Sequence, residues 1–407
     1  MLPIGLHADS TGRLGADDFA DPYLELVHLL TQAAGLEHSL MASYLYAAFS
    51  LKPQYAEIRG NVNDELFGLH RLDGGLDSDL EKRHTLLAVA VEEMQHLGSV
   101  NEFLTVLGAA PVLTPHAFPM TADIYQFSID LRSLTQPVAA TFLWVEAESC
   151  KLAGHVPGSE PPAFQDLVAG ALSRLPDPID EQPVSHLGSL YNAIVRVAER
   201  VAADPPSFAE QYVDWPGWLS RMGWILGQGE IAHYRFFRDI FTGEAFLPDS
   251  SHPGIVWADP TDEIYPSHDL VRGSAWKHSP TAFADDRARE LAWLGDLHYW
   301  LILGLLDHAY RGRDRAGRYR AVGQMTRALW SIGLELANTY GVGFPFDPLG
   351  PNYQFGGNDQ LAIHGLLRLA NEAATLEQQI AAAGLLPRDY DADALTSLIA
   401  QLEASGG

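Results

Sequence analysis

The sequence predicts an all-α protein in which a four-helix bundle is followed by a C-terminal helical extension. Two observations carry this prediction. Apolar residues recur at intervals of three and four positions along most of the 407-residue chain, as on the buried face of a helix. In addition, four of the predicted helices each place a glutamate on this otherwise apolar face. A buried carboxylate on each of four helices requires an explanation, because burying an unpaired charge is costly.

The first predicted helix covers residues 22–51. Asp21 is a residue type that often caps helices, and it precedes Pro22, a proline at the first helical position. Glu37 lies on the apolar stripe of this helix, within one or two turns of Leu30, Leu40 and Tyr44. We therefore expect Glu37 to be buried.

The second predicted helix covers residues 78–108 and contains Glu93 and His96, which point the same way because they are three residues apart. Steps of three and four from Glu93 reach almost only apolar residues. The same steps from Glu92 reach a mostly polar stripe. We therefore expect Glu93 and His96 to be buried, and Glu92 to be ordinary surface charge.

A third predicted helix covers residues 137–153 and offers two glutamates for the buried face. Glu146 has mainly apolar neighbours at helical spacing. Glu148 has Lys151 three residues away, which provides a surface partner. Glu146 is therefore the preferred buried residue, and Glu148 is the alternative.

The rest of the first half contains an insertion loop at about 154–185, which encloses a short helix, and then predicted helices at 186–203 and 216–241. The last of these carries a second Glu-x-x-His element, Glu230 and His233. We interpret residues 1–245 as the bundle, 246–284 as a linker region and 285–407 as a C-terminal helical domain packing on the bundle. Helices are predicted at 285–310, 318–340, 359–382 and 391–404.

Together, the buried-face residues form the ligand set of a two-metal carboxylate site in a ferritin-like bundle, with one Glu from each of two helices and Glu-x-x-His from each of the other two. The candidate ligands are Glu37, Glu93, His96, Glu146, Glu230 and His233. Four buried carboxylates would repel one another, and two divalent cations would balance their charge. Oxygen and imidazole ligands favour iron, with manganese as the alternative. No separate catalytic residue can be assigned, although Tyr44 is placed to approach the metals.

Bulk properties restrict the partners. The net charge of −26 disfavours nucleic acid and anionic membrane surfaces. The single cysteine excludes an intrachain disulfide and suits a reducing compartment. No signal-peptide pattern and no apolar run of about 20 residues is present. We expect a cytoplasmic protein with a small-molecule substrate and no nucleic-acid or membrane partner, and a homo-oligomer is an open option.

Several short segments resemble the ferritin-like iminophenyl-pyruvate dimer synthase family. These segments are Leu36-Glu37-His38-Ser39-Leu40, Tyr44-Leu45-Tyr46-Ala47, Glu92-Glu93-Met94-Gln95-His96-Leu97 and Ala232-His233-Tyr234-Arg235-Phe236. The named members belong to bisindole pigment biosynthesis of the violacein and rebeccamycin type, and they couple two oxidised aromatic imino acids derived from tryptophan. One departure is that Gln228-Gly229-Glu230 runs directly into Ala232-His233-Tyr234, whereas the family often separates these elements.

The sequence therefore predicts a non-haem, di-iron metalloprotein, an oxidoreductase or imine-coupling enzyme of secondary metabolism acting on a small amino- or imino-acid-derived substrate. The first alternative is an iron-binding or ferroxidase-type protein without a dedicated organic substrate. The second is a non-catalytic helical bundle with a degenerate metal site.

Overall fold

The structure is a computed structural model. It describes residues 19–62, 84–114, 117–121, 128–148, 151–152, 158–176, 187–206, 213–312, 315–349 and 359–406. The side chains of residues 121, 230, 315, 316, 359 and 406 are outside this description.

Helices dominate the described residues, which confirms the predicted all-α class. The α-helices are α1 (Pro22–Ser50), α2 (Ala56–Arg59), α3 (Leu86–Val106), α4 (Gln136–Glu146), α5 (Pro162–Leu172), α6 (Leu187–Ala203), α7 (Trp215–Gln228), α8 (Tyr234–Thr242), α9 (Asp286–Gly312), α10 (Arg315–Gln324), α11 (Trp330–Glu335), α12 (Asp359–Ala382) and α13 (Asp393–Gly406). Short 3₁₀ segments cover Pro53–Tyr55 and Pro253–Trp257, and π-helical segments cover Gly229–His233, Met325–Leu329 and Leu336–Tyr340. Strands β1 (Met120–Thr121) and β2 (Ser128–Ile129) pair antiparallel, with Met120 opposite Ile129.

Helix α1 forms as predicted and lies at the centre of the first half of the chain. The Asp21 side chain caps it by accepting a hydrogen bond from the Tyr23 N–H at 2.9 Å. From Ala33 onward every residue of α1 is buried, and the helix packs against α3 and α6. A helix surrounded in this way can present Glu37 to the interior of the bundle.

Helix α3 begins later than predicted. Thr85 has an extended backbone, and its hydroxyl caps the helix by accepting the Ala88 N–H at 3.0 Å. Gly60, which follows α2, lies against Thr85: its φ of +97° suits glycine, and a Cβ there would lie 2.5 Å from Thr85 Oγ1. His84 and Thr85 are therefore not helical, which contradicts the predicted start at residue 78. Residues 78–83 lie outside the described residues.

Helix α4 ends at Glu146, whereas the sequence predicted continuation to 153. Ala147 is extended, with ψ of 143°, and closes the helix through a hydrogen bond to the Trp144 carbonyl. This end makes Glu146 the last helical residue and leaves Glu148 exposed. Of the two candidate glutamates, the structure buries Glu146.

The helix predicted at 216–241 is divided by the π-helical segment Gly229–His233, which joins α7 to α8. A π segment holds one extra residue in a helical turn, and it therefore rotates the side chains that follow it relative to those before it. The second Glu-x-x-His element lies within this segment.

The chain divides into two compact units. The first comprises Met1–Ala109, Pro119–Asp130 and Leu134–Ser267, and the second comprises Ala110–Phe118, Leu131–Ser133 and His268–Gly407. The domain boundaries predicted above stay a prediction. No described helix is both long and apolar enough to cross a bilayer.

In the second unit, α9 packs against α10 and α12 and contains a fully buried carboxyl group, Asp296. Asp296 Oδ1 accepts the Asp347 N–H at 3.2 Å. Burial raises the pKa of Asp296 well above its ordinary value, and the neighbouring Asp347 carboxylate raises it further. Asp347 is better suited to carry the negative charge, because Ser274 Oγ and the Ala275 N–H both donate to it at 2.8 Å.

Replacing Asp296 by Asn is expected to stabilise the protein at neutral pH and to have little effect in acid. The folded-state pKa of Asp296 lies above the unfolded value, so the native state binds the extra proton. The free energy of unfolding therefore falls as pH rises from about 4 through the folded-state pKa, by about 1.4 kcal/mol per pH unit. An asparagine side chain cannot titrate, and this decline should be absent in urea unfolding of the Asp296→Asn variant across the same pH range. Asp389→Asn, at an exposed position, is the matched control, and an equal response of both variants would contradict the assignment.

Candidate metal centre

Five of the six predicted ligand side chains converge in the interior of the first unit. Glu37 comes from α1, Glu93 and His96 from α3, Glu146 from the last position of α4 and His233 from the π-helical segment. Each of these residues is at most 2% exposed. The helical faces that sequence periodicity identified as buried therefore meet at one place.

These residues form two overlapping groups. Position 1 consists of Glu37, Glu93 and His96, and position 2 consists of Glu93, Glu146 and His233. Within each group the candidate donor atoms all lie within 4.8 Å of one another. Glu93 belongs to both groups, which is the arrangement expected of a carboxylate that bridges two metal ions.

Both histidines direct Nδ1 toward the carboxylates. His96 Nδ1 lies 3.0 Å from Glu93 Oε2 and 3.7 Å from Glu37 Oε2. His233 Nδ1 lies 3.0 Å from Glu93 Oε1 and 3.5 Å from Glu146 Oε2. The Nδ1 atoms are therefore the ring nitrogens placed to act as ligands.

Four buried polar atoms of this cluster make no hydrogen bond among the described residues, although two of them, Glu93 Oε1 and His233 Nδ1, lie 3.0 Å apart as an ion pair. They are Glu37 Oε2, Glu93 Oε1, Glu146 Oε2 and His233 Nδ1. A buried polar atom without a partner costs about 1–3 kcal/mol, and more when it is charged. Such atoms in both groups fit divalent cation binding, since coordination would satisfy the carboxylate oxygens and the imidazole nitrogen together. The donor set therefore fits a metal centre.

The electrostatics of the cluster lead to the same conclusion. Burial and then the adjacent Glu93 raise the pKa of Glu37 well above its ordinary value. Burial lowers the pKa of His96 and of His233, but the carboxylates around them outweigh it and raise both well above 6.5. Burial raises the pKa of Glu93, but His96 and the other neighbours outweigh it and hold that pKa well below its ordinary value. The protein alone thus balances its buried carboxylates with protons, which bound cations would displace.

Two tyrosines hold the outer oxygens of the carboxylates. The Tyr44 hydroxyl donates to Glu146 Oε1 at 2.5 Å, and the Tyr191 hydroxyl donates to Glu37 Oε1. Each bond leaves the other oxygen, Oε2, directed at the histidines. Tyr44 thus contacts a candidate ligand, and its approach to the metals stays a prediction.

Both histidines are also held at Nε2, the ring nitrogen that does not face the carboxylates of the cluster. His96 Nε2 lies 2.8 Å from Gln228 Oε1, and His233 Nε2 lies 2.7 Å from Glu92 Oε2. The interpretation of Glu92 as surface charge is wrong, because its half-buried carboxylate contacts a buried histidine on another helix. Periodicity along α3 could not reveal this contact, because the π-helical segment supplies the partner.

The remaining candidates are placed as follows. Glu230 lies in the π-helical segment beside Gly229, and its side chain is outside the described residues. A Cβ at Gly229 would lie 3.0 Å from Glu146 Oε2, so this position keeps space open beside the carboxylate. Sequence analysis did not single out Tyr191, and it named Gln228 only within the segment Gln228-Gly229-Glu230, without a role in the site. Tyr191 had a usable signal, since it adjoins the apolar stripe of α6. The ligand roles themselves stay a prediction.

Comparison with known proteins identifies the class of fold. Residues 30–214 match the Ferritin-like family model. Together with the all-α architecture, this match indicates a ferritin-like fold for that part of the chain.

Two curated relatives confirm the predicted resemblance. A 118-residue stretch is 36% identical to the 2-imino-3-(indol-3-yl)propanoate dimerase of Chromobacterium violaceum, covering 25% of this chain and 11% of that protein. An 88-residue stretch is 39% identical to the dichlorochromopyrrolate synthase of Lentzea aerocolonigenes, covering 21% and 9%. The matches thus span about a tenth of the length of these relatives. A ferritin-like protein from Caulobacter vibrioides, known from its crystal structure, aligns over 81% of this chain and 99% of its own at 15% identity and a TM-score of 0.43.

Proposed function

We propose that this protein is a two-metal oxidoreductase that acts on a small amino- or imino-acid-derived molecule. One observation carries the proposal: three buried glutamates and two buried histidines from four parts of the bundle form two groups that share Glu93. Such a cluster weakens a fold unless it serves a ligand, because its carboxylates are desolvated and incompletely hydrogen-bonded. The degenerate-bundle alternative gives no reason for retaining it.

Iron is the proposed metal, with manganese as the alternative, because the donors are carboxylate oxygens and imidazole nitrogens. Glu37, Glu93 and His96 would hold one ion, and Glu93, Glu146 and His233 the other. When bound, such ions supply Lewis acidity and, for iron, one-electron redox chemistry. Glu230 stays a candidate sixth ligand on the strength of its sequence pattern.

The side chains around the cluster orient its ligands and exclude water. Tyr44 and Tyr191 fix the rotation of the Glu146 and Glu37 carboxylates. The Tyr44 ring also packs against Phe142 and Phe237, with ring centroids 4.7 and 4.9 Å away. This apolar wall keeps one side of the site dry, which strengthens electrostatic interactions within it.

Both relatives are named as enzymes, and one of them supports the proposal of an imino-acid substrate. One is named for 2-imino-3-(indol-3-yl)propanoate. That molecule combines an aromatic ring with a carboxylate and an imine, and both polar groups suit a cationic centre. We therefore propose an aromatic 2-imino acid as the substrate class.

Metal analysis tests the proposal first. Protein reconstituted anaerobically with Fe(II) and freed of excess ion is expected to hold about two metal ions per chain. Less than about one per chain would contradict a two-metal centre. Loaded protein should then consume 2-imino-3-(indol-3-yl)propanoate, generated in situ from tryptophan by an amino-acid oxidase with catalase and followed by mass spectrometry. Oxidation of Fe(II) without consumption of this or related imino acids would instead identify a ferroxidase.

A further inference from the structure

We propose that Glu92 and Gln228 make the two metal positions unequal, so that position 2 binds its ion more tightly than position 1. This inference rests on the proposed two-metal function, and it concerns residues outside the ligand set. It follows from a difference between the groups that contact Nε2 of the two histidines.

Glu92 and Glu93 are consecutive in α3, yet both reach His233. Glu93 Oε1 lies 3.0 Å from Nδ1, and Glu92 Oε2 lies 2.7 Å from Nε2. The two glutamates thus hold the ring from both nitrogens. With Nε2–H donating to Glu92, Nδ1 faces Glu93 and Glu146 and would become the metal-binding nitrogen once it gives up its proton.

His96 has the same arrangement with a different acceptor. Its Nδ1 lies 3.0 Å from Glu93 Oε2, and its Nε2 lies 2.8 Å from Gln228 Oε1. The amide oxygen also selects the tautomer in which Nε2 carries the proton. Unlike a carboxylate, however, it has no net charge.

This difference in charge should separate the two affinities. A carboxylate behind a ligating imidazole increases the electron density on the nitrogen that binds the metal, and losing such a partner typically lowers metal affinity about 10–100-fold. Position 2 therefore has a carboxylate at the outer nitrogen of its histidine, where position 1 has an uncharged amide.

Anaerobic calorimetric titration with Fe(II), and with Mn(II) followed by electron paramagnetic resonance, tests the inference without measuring catalysis. The wild-type protein should bind in two steps of different affinity. Glu92→Gln should weaken the tighter step about 10–100-fold and leave the weaker step within about threefold. Glu148→Gln removes one exposed charge from the same unit and should change neither step.

Single-histidine backgrounds assign the steps to positions. With His96→Ala, the tighter step should remain and should still respond to Glu92→Gln. With His233→Ala, the tighter step should be lost, and Glu92→Gln should have no further effect. Gln228→Glu provides the complementary change, since it should raise the affinity of the weaker step, and it keeps the inference testable if Glu92→Gln folds poorly.

The outcomes separate this inference from the proposed function. Two ions bound with equal affinity, or an equal response of both steps to Glu92→Gln, would overturn the inequality and leave the two-metal centre standing. Wild-type protein that binds no metal would overturn both.

Discussion

Replacing Glu93 by Gln is expected to abolish metal binding at both positions. Glu93 is the one described residue that belongs to both ligand groups, with one oxygen 3.0 Å from each histidine Nδ1. Glutamine has a similar shape, but it offers one oxygen instead of two and lacks the negative charge. Metal content measured after anaerobic reconstitution should fall from about two ions per chain to well below one.

The same substitution should remove the stabilisation that metal gives the fold. An ion present at about 100 times its dissociation constant adds about 2.7 kcal/mol per site to the free energy of unfolding. Added Fe(II) should therefore raise the melting temperature of the wild-type protein and leave that of Glu93→Gln nearly unchanged. Glu148→Gln should respond to metal like the wild type, because this carboxylate is exposed.

Substitution of single ligands provides a check within the cluster. Glu37→Gln should lose the ion at position 1, and Glu146→Gln should lose the ion at position 2. If Glu93→Gln lost one ion only, Glu93 would not be shared and the overlapping arrangement would be wrong.

Tyr191→Phe and Tyr44→Phe are expected to give the second-largest effects, each at one position. The Tyr191 hydroxyl donates to Glu37, and the Tyr44 hydroxyl donates to Glu146. Phenylalanine preserves the packing and removes only the donor, so a buried carboxylate oxygen loses its partner. This should cost about 1–3 kcal/mol of folding free energy and about 10–100-fold in metal affinity at the affected position.

Urea unfolding and calorimetric titration with Fe(II) measure these two effects separately. Tyr191→Phe should weaken position 1 and Tyr44→Phe position 2, whereas Tyr319→Phe, at a residue that is 43% exposed, should change neither quantity by much. Lower stability without any change in metal affinity would show that the two tyrosines support the fold and do not orient ligands.

Helix positions were predicted well where they depend on periodicity. The predicted 359–382 matches α12, and α1 was predicted to within one residue. Helix ends were predicted less well. The late start of α3 depends on the Thr85 cap, and the early end of α4 depends on the turn at Ala147. These ends are decided by one or two backbone angles, to which a pattern of apolar residues is insensitive.

The sequence by itself determined the helical class and the buried direction of Glu37, Glu93, His96 and Glu146. It could do so because side-chain direction on a helix repeats with the local geometry of the backbone. Only the tertiary structure decided which atoms meet across helices. It placed Glu92 behind His233, Gln228 behind His96 and Tyr191 on Glu37, and it introduced the π-helical segment that carries His233. In the contacts of Gln228, Glu92 and Tyr191, the paired residues are between 132 and 154 positions apart along the chain. Distances of that kind are set by how the helices pack, and periodicity within one helix contains no information about them.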